Sequence, residues 1–346
     1  MARHRMSRVG AASVVAVIGL GAVAVASASP FQSSDEEPKP EQVDSTPYRA
    51  FSADSWFNTP LPDGAQLNPD GEAILDYLST GPENGDGCVR LAGAGDSPWG
   101  HPIYWARDGD PEYELGGVEE KRPPEVDELR IPHSAEPAEN SDGHMSVFDR
   151  EKGYVVALTD AEYDEDSGEW SAKGATVTYL DSNGLFAETG ESDDPRNMGT
   201  HRGNKGAVMA VRYDMVRAGA INHVLKIAAG PEVSERFIFP MVGSDGDELS
   251  NDPAVPPQGL RLRLKPDVDL ESAELSGQAL VIAQALQRYG AYIGDSGGVT
   301  ALKLENTVAE GRGQLWEVSA TDLCGLPLTP EYWDVIAEDY DPREDT

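Results

Sequence analysis

From Gly143 to Val318 the chain is written mostly in short apolar runs, each closed by glycine, proline or a charged turn. That punctuation favours strands over helices. Gly143 to Phe148 and Gly153 to Thr159 flank the turn Asp149-Arg150-Glu151-Lys152, the pattern of a hairpin. Trp170 to Leu180 reads as a strand pair broken at Gly174. Ile221 to Ala228, Phe237 to Val242, Val299 to Leu304 and Gln314 to Val318 add further strands. Leu260, Leu262 and Leu264 alternate with Arg261 and Arg263, as in a strand with one face buried and one wet. Only one helical stripe is well formed. It carries Leu280, Ala283, Leu286 and Tyr289 after Ser276 as N-cap, with Gly290 as its stop. Asn68 and Pro69 start a shorter helix that runs to Leu78. The expected fold is mainly β: a β-sandwich or jelly-roll-like body with a few short helices, one near residues 276–289.

The N-terminus has its own logic. Arg3, Arg5 and Arg8 precede an uncharged run from Val9 to Ala28 that ends in Ala26-Ser27-Ala28. A basic start, an apolar middle and a small-residue exit make a signal peptide over residues 1–28. The protein is therefore expected to be extracellular. The alternative is a membrane anchor formed by residues 9–28, the only membrane contact the sequence offers. Residues 29–48 are Pro, Ser, Asp and Glu with few apolar anchors, and read as a disordered acidic spacer. A single globular β-rich domain then spans 49–330, followed by an acidic tail over 331–346.

Lys and Arg total 27 against 61 Asp and Glu, for a formal charge of −34. No basic stripe exists to neutralise phosphates, so nucleic acid is excluded as a partner. Cys88 and Cys324 are the only cysteines. In an oxidising compartment such an even pair is read as a disulfide, with two buried free thiols as the alternative.

The chemistry-bearing residues fall in loops and at strand ends. Asp142 and His144 lie two apart and share a strand face, so the carboxylate can orient the imidazole. His201 sits in Gly199-Thr200-His201-Arg202-Gly203-Asn204-Lys205-Gly206, a positive island in an acidic chain. That island either binds an anionic group or pairs with Asp193 and Asp194. Asn222-His223 opens a strand-like run, where the histidine is either catalytic or a hydrogen-bonded core residue. Asp295 stands in a Gly-rich junction after the best helix, as an acid, a base or a backbone cradle. Trp56, Trp99 and Trp170 are candidates to stack on sugar rings. No G-x-S-x-G elbow, P-loop, H-E-x-x-H or CxxC occurs, and no cofactor motif is present.

The series Trp56-x-Asn58-x-Pro60, Asp142-Gly143-His144-Met145, Trp170, Asn222-His223 and Leu286-Gln287-x-Tyr289-Gly290-x-Tyr292-x-x-Asp295-x-Gly297-Gly298 resembles a family of secreted bacterial proteins. Its members carry a signal peptide and a Thr/Ser/Pro-rich spacer. The resemblance covers about residues 51–320 and implies export and one domain. It assigns no reaction, and it does not imply the disulfide.

Together these features point to a glycan-active enzyme working on an extracellular or cell-wall polysaccharide. As a lyase it would use His144, His223 or Tyr292 for proton transfer, with His201 near and Arg202 or Lys205 neutralising a uronate carboxylate. As a glycoside hydrolase it would pair Asp142 with Asp295. Trp56, Trp170, Tyr292 and Asn222 would contact the glycan. Two other classes stand beside it: a non-catalytic carbohydrate-binding or cell-surface module, and a hydrolase with a divalent cation held by His144, His201, His223 and an Asp. The sharpest expectation is that His144 and His223 share one polar pocket with Asp295 at its rim.

Overall fold

In the computed structural model, residues 47–80, 87–95, 97–139, 142–247 and 251–344 are described. They belong to one compact unit, Asp44–Thr346. The signal peptide and nearly all of the spacer lie outside the described residues. Among the described residues no helix is long and apolar enough to cross a membrane.

The body is mainly β with few short helices, as the run pattern requires. A six-stranded sheet holds, in spatial order, Arg90–Ala92, Ala301–Lys303, Leu225–Ala229, Ala291–Ser296, Arg261–Leu264 and Trp333–Val335. A five-stranded sheet holds Met198–Gly199, Gly174–Tyr179, Tyr154–Thr159, Met145–Asp149 and Ile103–Ala106. Both are mixed. Leu225–Ala229 runs parallel to Ala291–Ser296, and Ile103–Ala106 runs parallel to Met145–Asp149.

Period-two alternation assigns the faces. In the six-stranded sheet Leu225, Ile227, Ile293, Leu302 and Leu304 enter one large apolar cluster, covered by the helices Gly71–Ser79, Tyr213–Arg217 and Gly277–Arg288. In the five-stranded sheet Met145, Val147, Val156, Leu158 and Val177 enter a second, under the segment around the 3₁₀ turn Pro124–Glu128. The remaining faces look toward each other. They meet in an aromatic cluster that includes Phe57, Phe148, Tyr289 and Tyr292. Beside it the same two faces are polar: His144 and Ser146 on one sheet, Lys226 and Lys303 on the other. The site is where the inner faces part.

The hairpin, the helix Gly277–Arg288 and the helix Gly71–Ser79 match their sequence signals closely. Several expectations need correction, and Gln314 to Val318 forms no strand. Arg261 and Arg263 do not face water. Both are buried, Arg261 donating to the carbonyls of Tyr289 and Thr59, Arg263 to that of Pro62 and to Asp334. Phe237 to Val242 forms a turn with an isolated bridge, Phe237 to Gln258, because Pro240 removes a donor. Residues 331–346 are not merely a tail. Trp333–Val335 is an edge strand, anchored by buried Trp333, Val335 and Ile336.

Cys88 and Cys324 are bridged, with Cα atoms 5.0 Å apart and 236 positions between them in sequence. In the chain-entropy account so long a loop stabilises by about 5 kcal/mol. The bridge also fixes the strand Arg90–Ala92 and the segment carrying Ala320, both of which line the cleft.

Candidate active site

A cleft of about 880 Å³ opens between the inner faces. Its floor on the five-stranded side is made by strand ends. Asp142 and His144 precede Met145–Asp149, and Thr159 ends Tyr154–Thr159. Thr200, His201 and Arg202 follow Met198–Gly199. On the six-stranded side stand Lys226, Asp295 and Lys303.

Two glycines make this arrangement possible. A side chain at Gly294 would meet Lys226 Cγ at 2.9 Å, so its absence lets the lysine stem lie across the neighbouring strand. The register also slips here: Ile227 pairs with Ile293, but Ala228 pairs with Asp295. Simple alternation would send Asp295 to the Ile293 side, into the apolar core. The bulge re-aims it at the cleft, onto Lys226 at 3.2 Å. At Gly206, where φ is +44°, a Cβ would crowd Ala157 and Ser146 at 3.2 and 3.3 Å. Glycine there keeps the loop close beneath His101.

The histidines are held neutral. His144 donates from Nε2 to the carbonyl oxygen of Gly100 at 3.1 Å, since a carbonyl can only accept. Its Nδ1 therefore carries the lone pair. Among the described residues that nitrogen has no hydrogen-bond partner; the Asp142 carboxylate is 3.9 Å away. Burial lowers the His144 pKa to about 3, with the Lys303 ammonium adding to the effect. His101 stacks on it, ring centroids 5.0 Å apart, and its Nε2 contacts Ser146 Oγ at 2.7 Å. Burial and the neighbouring His144 hold His101 well below the usual imidazole range. His201 makes only a 3.5 Å contact, to Thr159 Oγ1, and burial brings it down to about 4.

The charges opposite are sorted. Arg202 binds Asp245 at 2.9 Å and approaches Asp295 at 3.8 Å. Asp245 also accepts from Gln258 and from the Ser296 N–H. Burial and the adjoining Asp295 push Asp245 up to about 7. Asp295 is held well below the usual carboxylate range: Lys226 and the hydrogen bond from Asp245 outweigh its burial. Lys303 is different. Among the described residues its ammonium has neither an ion pair nor a hydrogen bond, and desolvation, then Lys226, lowers its pKa. Five Lys and Arg line the cleft against four Asp, in a chain whose formal charge is −34. The cleft thus carries a local surplus of cations.

The structure brings together His144, Asp142, His201, Arg202 and Asp295, with Trp99 at the rim and 44 % exposed. It does not bring His223. That side chain lies outside the cleft, buried, with Nδ1 donating to the Val224 carbonyl at 2.8 Å. The single-pocket expectation fails there, and so does a cation site built on three histidines including His223. Lys205 is also elsewhere, its ammonium 3.5 Å from the Phe186 ring centre. Trp56 and Tyr292 line a separate cavity of about 250 Å³ beside Ile336–Asp341. Trp170 is buried in the second apolar cluster, and Asn222 offers its carbonyl to Arg49 outside the cleft. Among the described residues no group of three or more His, Cys, Asp or Glu is placed to hold a metal ion.

Sequence reasoning missed His101, Lys226, Asp245 and Lys303. A signal existed for the lysines. Each is a lone cation in an apolar strand, Val224-Leu225-Lys226-Ile227 and Ala301-Leu302-Lys303-Leu304, where burial is costly without purpose.

Replacing His223 by alanine is expected to act on stability alone. Loss of its buried hydrogen bond and volume costs about 1–3 kcal/mol, while turnover per folded molecule stays at the wild-type level. Thermal melts beside active-site-normalised rates check this; a large loss of turnover at unchanged stability would contradict it.

No family model, no curated protein and no solved structure matches this chain.

Proposed function

We propose that the protein is an exported glycan-active enzyme that cleaves a uronate-containing polysaccharide by β-elimination. One juxtaposition carries this reading: a buried neutral imidazole with a bare nitrogen, His144, in the same cleft as an unpaired ammonium, Lys303. Elimination needs both. A base removes the proton beside the carboxylate, and a cation steadies the charge that spreads onto it. Arg202 and Lys226 add to the positive field, although each already serves a carboxylate. Trp99 offers an exposed ring for stacking a neighbouring sugar. The disulfide agrees with an oxidising, extracellular setting.

The hydrolase reading is weaker on geometry. Glycosidase carboxyls stand about 5–5.5 Å or 6.5–9.5 Å apart, leaving room for the anomeric carbon or a water. Asp142 and Asp295 both line the cleft, but Asp295 is taken up by Lys226, and the pair with separated acidities, Asp245 and Asp295, hydrogen-bond each other. The test is incubation with uronate polysaccharides. Ultraviolet absorbance from a new conjugated double bond is expected; chain shortening without it would refute elimination.

A further inference from the structure

His144 and the Lys303 ammonium stand on opposite walls of the cleft, and that division sets the stereochemistry. On the five-stranded side, His101 Nε2 is engaged with Ser146 and His201 Nε2 rests against Thr159, while His144 Nδ1 is buried without a hydrogen bond. On the six-stranded side the acids are engaged. Asp245 takes bonds from Arg202, Gln258 and the Ser296 N–H, and its carboxyl hydrogen-bonds Asp295. Asp295 in turn holds Lys226. Lys303 faces whatever anion enters.

Building on the β-elimination reading, we infer that His144 carries the proton in both directions and that the reaction is a syn elimination. The substrates are then uronates whose H5 and O4 lie on one ring face, the gluco- and manno-configured ones. The sugar carboxylate docks toward Lys303, which turns one ring face to His144. Nδ1 takes the proton from C5. The electron pair left on C5 forms the C4=C5 double bond as the C4–O4 bond breaks. The imidazolium then passes that same proton to O4 of the departing chain and returns to neutral. No oxidant, water or second acid is consumed. In galacto- and gulo-configured uronates O4 leaves from the opposite face, where the sugar carboxylate takes up Lys303 and the Asp245 proton is shared with Asp295.

The experiment uses the unmodified protein on four polymers at equal uronate concentration: a β-D-mannuronan, a β-D-glucuronate polymer, an α-L-guluronan and an α-D-galacturonan. The initial rate of double-bond absorbance is read for each. At least one of the first two should exceed both of the others by about a hundredfold, the penalty for a misplaced reacting atom. Guluronan or galacturonan cleaved as fast as the cis substrates, with double-bond formation, overturns the syn assignment and leaves elimination standing. Absence of a double bond from all four removes the elimination reading, and this one with it.

Discussion

Replacing His144 by alanine lowers kcat/KM on a uronate polysaccharide by about 10²–10⁴-fold, the range for removal of a general base. The thermal midpoint should shift by only a few degrees, because the side chain's one hydrogen bond goes to the Gly100 carbonyl. The pH profile carries the same claim in a second form. With the folded pKa near 3, the imidazole keeps its lone pair far below ordinary histidine titration. The acid limb of kcat/KM should therefore lie well under pH 6. On the alkaline side the proton held by Asp245 is lost around pH 7, adding negative charge to a cleft that, on the elimination reading, takes a uronate. Activity should decline above neutrality. An acid limb near 6.5 would mean that His144 is ordinarily solvated, or that another group is the base. Stability has its own sign. A histidine held neutral in the fold but free to protonate when unfolded stabilises above about pH 6.5, and that contribution is lost as pH falls toward its folded pKa.

The second large effect is at Lys303. Changing it to methionine keeps the stem and removes the charge. The expected loss is about 10²–10³-fold in kcat, comparable to deleting one preorganised donor at a developing oxyanion. The stability outcome separates function from structure. An ammonium held without an acid partner costs the fold free energy, so Lys303→Met should leave the melting temperature unchanged or raise it. A protein that melts much lower, with turnover per folded molecule intact, would make Lys303 a structural residue.

What the sequence made legible follows from range. The hairpin at Asp149–Lys152 and the helix at 277–288 are specified by neighbours within a few positions, and local turn and capping chemistry is enough to read them. The disulfide was legible for another reason: with two cysteines there is a single pairing to weigh. The cleft is a different kind of object. Alternation says that Asp142 shares a face with His144, but not that this face meets Lys303, about 160 positions further on. Asp295 reaches the site only through a bulge, which breaks the very alternation used to place it. His223 shows the converse. Its run looked like a strand from Ile221, yet the strand begins at Leu225, and the histidine turns back to bond the backbone beside it. Arg261 and Arg263 misled because buried guanidinium groups satisfied by distant carbonyls are spelled like solvent-facing ones.

On the elimination reading the cleft removes a proton and adds no water. Digestion in heavy-oxygen water, followed by mass spectrometry of the oligosaccharides, tests it most directly. Elimination leaves every product free of the heavy isotope beyond slow exchange at the reducing end, with the new non-reducing end lighter by one water than a hydrolysed one. One heavy oxygen fixed per cleaved bond, with saturated ends, would contradict the account and give the site to a hydrolase.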